Sequence, residues 1–222
     1  MGGGERLQLT GDDVSVFRFI RLCLALAAVA MPAALFGAMP PDIDALGQSR
    51  FLTGKLLVAS PSMGDPRFRE TVVVMVRHSR DGAMGLVINR PAGEEPLANL
   101  LQAFNDDGGN TAGSVPVYVG GPVQRELAFV LHSTDYRRAG TIDVTGDVAM
   151  TANRDIVRDI AGKTGPKRFM LIFGYAGWGP GQLEGELAGN HWYTAPIDPA
   201  LVFETPRDKV WEQAVERRTR EL

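Results

Sequence analysis

The run Thr71-Val72-Val73-Val74-Met75-Val76 constrains the fold more than any other stretch of the chain. Four of its six residues are valine, whose branched side chains restrict χ1 and pack well on a pleated surface, so a buried strand is expected here. His78-Ser79-Arg80-Asp81-Gly82 follows as a turn, with Asp-Gly suited to positive backbone φ. Gly85 to Asn89 then returns as a second strand, and the two make a hairpin.

The same reasoning places Lys55–Ala59 in a strand and leaves Ser60–Arg67, with two prolines and a glycine, as a loop. Leu97, Leu100, Leu101 and Phe104 fall at i, i+3, i+4 and i+7 and predict an amphipathic helix. Asp106 to Ser114 reads as a polar, glycine-rich loop. Strands are expected over 117–119, 127–132, 142–144, 148–151 and 168–173, and two short ones near Trp192 and Val202. Asn153 is placed to cap a helix ending at Gly162. A glycine-rich loop from Gly174 leads to a short helix over 182–187, and a C-terminal helix is expected from Pro206. Strands outnumber helices without alternating with them. This pattern predicts an α+β domain with a mixed, largely antiparallel sheet and a few helices packed on it.

Three segments are delineated: residues 1–41, a linker over 42–50, and the body over 51–222. Arg18 and Arg21 precede an uncharged stretch from Leu22 to Pro41, the pattern of a signal peptide or membrane anchor. Pro32 interrupts that stretch, which favours a cleaved signal, although Phe36 and Pro32 disfavour the two alanine cleavage sites. An exported or membrane-associated location is therefore expected from this segment. Cys23, the single cysteine, lies inside it, so the body has no disulfide and no thiolate chemistry. Four of the 23 basic and five of the 26 acidic residues precede Phe51, which leaves the body close to neutral and disfavours a nucleic-acid partner.

Four motifs in order carry a family resemblance. They are Phe51 to Phe68 (FLTGKLLVASPSMGDPRF), His78 with Asp81 to Pro91, Gly120-Gly121-Pro122-Val123 with Leu131-His132, and Gly174-Tyr175-Ala176-Gly177-Trp178 with Gly181 to Glu184. Together they resemble the AlgH/YqgE group of bacterial proteins from Phe51 to roughly Trp211. The resemblance implies a single α+β domain with a curved mixed sheet and a cytoplasmic location, which stands against the N-terminal segment. It associates the chain with transcriptional regulation and implies no biochemical activity.

No serine has a nucleophile-elbow setting, and Gly162-Lys163-Thr164 lacks the first glycine of a phosphate loop. His78, His132 and His191 lack metal-ligand spacing, so neither metal nor cofactor is expected. A non-enzymatic binding or regulatory-accessory protein is the favoured reading, because polar and glycine-bearing loops are held between strands. Its surface is drawn from Ser60, Met63, Asp65, Phe68, His78, Asn89, Gly121, His132, Tyr175, Trp178 and Gln182, with the aromatic residues as anchors. The partner is a protein or a small-molecule ligand, with membrane contact through the N-terminal segment. The alternative is a hydrolase using His78 or His132 with a carboxylate.

Overall fold

The computed structural model describes residues 51–104 and 111–218. The N-terminal segment, its linker and residues 106–110 of the expected loop lie outside the described residues. The first strands are β1 (Lys55–Ala59), β2 (Val72–Ser79), β3 (Gly82–Val87) and β4 (Pro91–Pro96), followed by helix α1 (Leu97–Ala103). Next come β5 (Ser114–Val119), β6 (Val123–Ser133), β7 (Thr141–Asp143), β8 (Val148–Thr151) and α2 (Asp155–Ala161). The chain continues as β9 (Phe169–Trp178), α3 (Gln182–Ala188), β10 (Trp192–Pro196), α4 (Pro199–Phe203) and α5 (Val210–Glu216).

The hairpin expected from the valine run is present, with Val73 opposite Val87 and His78 opposite Ala83. β2 runs on through His78 and Ser79, so the turn shrinks to Arg80 and Asp81. The sheet order is β10-β1-β2-β3-β9-β6-β8-β7. β5 joins as a parallel partner of β9 and carries β4 at its other edge. The remaining pairs are antiparallel, so the sheet is mixed and largely antiparallel as expected.

Side-chain alternation divides this curled sheet into three cores. Leu56, Val58, Val72, Val74, Val76, Phe129 and Leu131 point into an interior core closed by Leu201 and Val202 of α4 and Val210 and Ala214 of α5. The alternate residues Leu57, Ala59, Val73 and Met75 face outward beneath α3, Met63 and Trp192. In the other half Val115, Val117, Val130 and Leu171 face outward beneath α1 and α2. A sheet covered on both faces needs apolar residues at every position, which is why the β2 valines do not alternate with polar residues. Val72 through Val76 are at most 2% exposed. Their burial contributes roughly 10 kcal/mol of gross hydrophobic free energy before chain entropy is subtracted.

Four expectations need correction. β9 does not end at Phe173 but crosses the expected glycine-rich loop as far as Trp178, because β3 pairs with Ala176–Trp178 and satisfies the backbone there. Only Gly179 to Gly181 remain as loop. Val202 lies in α4 instead of a strand: Pro199 sits at the first helical position and the Asp198 carboxylate accepts from the Ala200 N–H at 2.9 Å. β4 was not expected, since its sequence PAGEEP holds two prolines and a glycine. The C-terminal helix begins at Val210, four residues after Pro206.

The Gly120-Gly121 turn passes β9 at close range. A Cβ on Gly121 falls 2.2 Å from the Tyr175 carbonyl carbon and oxygen, and one on Gly120 falls 2.3 Å from the Gly174 oxygen. Gly174 itself adopts φ 73°. Glycine is required here so that two backbones can touch.

Candidate functional site

Two of the expected loops converge over α3. The Ser60–Phe68 loop is closed at its far end by Asn89, whose Oδ1 accepts from the Val72 N–H at 2.9 Å and whose Nδ2 donates to the Glu70 carbonyl at 2.8 Å. Ser60 is buried and pairs with Ser62 at 3.0 Å. Arg67 grips Asp65 with both Nε and Nη2, and this hydrogen bonding holds the Asp65 carboxyl below its ordinary pKa. Met63 is buried in the core beneath. Phe68 stacks on Trp178 at 6.4 Å and meets Trp192 edge-on at 5.6 Å.

Glu186 on α3 holds the two indoles in place. Its Oε2 accepts from Trp178 Nε1 and from Trp192 Nε1, each at 2.8 Å, and its Oε1 accepts from Gln182 at 2.9 Å. Gln182 also turns its Oε1 to the Gly179 N–H at 3.1 Å and so fixes the short loop ahead of α3. Trp178 is only 6% exposed, so it stands beneath the rim and supports it; the exposed groups are those of the loops themselves.

His78 belongs to the same half of the molecule. Its Nδ1 accepts from the Leu52 N–H at 3.0 Å, which places the ring proton on Nε2, facing Glu184 Oε1 at 3.1 Å. Phe51 packs edge-on against the ring at 5.3 Å. Both nitrogens are therefore engaged within the protein.

His132 lies elsewhere. Ala83, opposite His78, is paired with Trp178 at one end of β9, whereas His132 is paired with Phe169 at the other. The two histidines therefore do not meet. His132 Nδ1 donates to the Ser133 carbonyl at 2.8 Å, and Nε2 faces Thr151 Oγ1 at 2.9 Å. Thr151 pairs with Thr141 at 2.7 Å, and Thr141 accepts from the Arg138 N–H. Arg138 in turn grips Asp159 and Asp155 of α2, and Tyr136 covers the His132 ring edge-on at 5.5 Å.

Burial lowers the His132 pKa, so the ring stays neutral in the fold while the unfolded chain protonates near the ordinary value of about 6.5. The unfolded state then binds more protons, and stability falls as pH drops below that value. The wild-type melting temperature should decrease between pH 7 and pH 5 by more than that of a His132→Gln variant. Parallel curves would show that His132 does not contribute.

Ser60, Met63, Asp65, Phe68, His78, Trp178 and Gln182 thus lie in the α3 half of the molecule, with Asn89 at its border. Tyr175 packs on the interior core, across β9 from Trp178, and Gly121 is buried against its backbone. Neither reaches the rim. Among the described residues no three His, Cys, Asp or Glu side chains are grouped to hold a metal, and no helix is long and apolar enough to cross a membrane.

Sequence reasoning missed a recess of about 150 Å³ on the opposite half. Its floor is Val130, Ile156, Val157 and Leu171, and its mouth carries Glu126 and Arg154. These residues come from β6, β9, α2 and the residue just before α2, and no local spacing links them.

The AlgH-like family model matches residues 56–222. A UPF0301 protein of Ruegeria pomeroyi is 47% identical over 165 residues, covering 74% of this chain and 90% of the relative. One from Rhodospirillum rubrum is 47% identical over 155 residues, covering 70% and 81%. The solution structure of the AlgH protein from Pseudomonas aeruginosa is similar with a TM-score of 0.67 at 38% identity, covering 81% of this chain and 92% of that one. A crystal structure of a protein from Corynebacterium diphtheriae, 22% identical with a TM-score of 0.59, shares the fold across 83% of this chain and 93% of its own. With the model spanning three quarters of its length and relatives near half identity, the chain belongs to the AlgH-like family.

Proposed function

We propose that this protein is a non-enzymatic binding or regulatory-accessory protein that recognises a protein or small-molecule ligand through the rim formed by Ser60–Phe68 and Gly179–Gln182. The observation that carries the reading is the way this rim is mounted. Two exposed loops rest on Phe68, Trp178 and Trp192, and Glu186 fixes both indoles. A surface held in one arrangement before contact loses little entropy on binding. The lone pair of His78 Nδ1 is taken by the Leu52 N–H, and His132 is fully buried, which supports binding over hydrolysis, since a general base needs a basic nitrogen within reach of the proton it takes.

The test uses a photo-crosslinking residue placed at Arg67 or Pro180, with Glu212 on α5 as the control, in protein made at its native level. Arg67, Pro180 and Glu212 are all exposed. A discrete adduct from the two rim positions, absent from the control and lost when Gly64→Glu/Gln182→Lys is added, is expected. Equal labelling from all three positions counts against the rim. A hydrolytic turnover lost in His78→Asn without a change in melting temperature would favour the His78–Glu184 alternative.

A further inference from the structure

β8 ends at Thr151, opposite Val130 of β6. The part of β6 that precedes Val130 therefore has no ladder partner on that edge among the described residues. On its other edge the pairing with β9 jumps from Val123 to Ala128, so Gln124 to Leu127 bulge away from the sheet. Gln124 takes a positive φ of 44°, and Leu127 is 43% exposed. An open strand edge presents backbone N–H and C=O groups to any extended chain that lies beside it.

The recess lies along this open edge, flanked by Ala128 of β6 and by Ala152 and Asn153 as the chain leaves β8. Its floor is apolar and its volume, about 150 Å³, suits one ring-sized group; a cavity of that size can hold benzene. Glu126 and Arg154 stand exposed at its mouth with opposite charges, and neither has an ion-pair partner among the described residues. Arg154 instead rests over the Phe104 ring at 5.8 Å.

We infer that this edge is a second recognition site, taking an extended peptide that continues the line of β8 along β6. One apolar side chain of the peptide fills the recess, a basic side chain meets Glu126 and an acidic one meets Arg154. Main-chain hydrogen bonds supply affinity, while the recess and the charge pair supply selectivity. This site is separate from the rim over α3 and stands or falls without it.

The experiment is an amide NMR titration of the full chain with capped peptides Lys-Thr-X-Thr-Glu and Glu-Thr-X-Thr-Lys, where X is Phe, Leu or Asp. A Phe or Leu peptide should shift the amides of Glu126 to Ala128 and Asn153 to Val157, and the Asp peptides should not. Ala128→Phe, which fills the recess from its wall, should remove the shifts. The exposed exchange Glu126→Lys/Arg154→Glu should weaken the preferred peptide at least tenfold and reverse the choice between the two orders, and it decides the matter if Ala128→Phe misfolds. The inference is overturned if no peptide moves these amides at millimolar concentration, if the Asp peptides bind equally, or if N-acetylphenylalanine amide binds as tightly as the peptides.

Discussion

Gly121→Ala is expected to abolish the folded protein, or to lower its stability by more than about 4 kcal/mol in urea unfolding followed by circular dichroism. The new methyl would enter the Tyr175 carbonyl at 2.2 Å, and the obstacle is backbone held in β9. A flexible side chain could swing aside; a strand paired on both edges cannot. Gly64→Ala is the matching control, because a Cβ there meets nothing within 4 Å, and a change within about 0.5 kcal/mol is expected. A Gly121→Ala protein as stable as wild type would mean that the turn and β9 are farther apart than described.

Glu186→Leu should destabilise by about 2–5 kcal/mol, since it leaves two buried indole N–H groups without an acceptor and each such loss costs about 1–3 kcal/mol. Glu186→Gln keeps one carbonyl oxygen and should lose about 1 kcal/mol. Tryptophan fluorescence during unfolding reads both, because Trp178 and Trp192 are two of the three tryptophans, the other being Trp211 on α5. If Glu186→Leu unfolds at the wild-type urea midpoint, the carboxylate does not hold the indoles. Stability and binding are coupled at this point: the residue that supports the rim touches no exposed part of it except Gln182.

Elements with strong local patterns were legible in the sequence. The 97–104 spacing became α1, with Leu97, Leu100 and Leu101 buried, and the valine run became a strand buried from Val72 through Val76. Asn153 accepts from the Asp155 N–H at 2.9 Å just ahead of α2, although Arg154 takes the N-cap position itself. What failed was decided by partners distant in sequence. Gly174 and Gly177 read as loop, yet β3 and β6 hold them in a strand. PAGEEP has no strand propensity and is held by β5. Val202 looked β-forming, but the Asp198-Pro199 cap sets a helix. At the site, the loops around Phe68 and Gln182 could be picked out as neighbours of motifs. The Glu186 clamp could not, because its two indoles lie eight residues before and six residues after the carboxylate, on β9 and β10 either side of α3, and no helix or strand periodicity marks those spacings. The same blindness hid the recess at Glu126 and Arg154.

The triple pairing of β9 sets the order in which this chain can be built. β3, β5 and β6 all precede it, and none can complete its ladder until residues 169–178 have arrived. On a ribosome, the valine-rich hairpin and the apolar face of β6 must wait without their central partner while dozens of residues are added. Contacts so far apart along the chain slow folding and prolong the exposure of sticky strand edges. The late-made strand therefore acts as a keystone: a chain that stops before Phe169 leaves β3, β5 and β6 each without the strand they share.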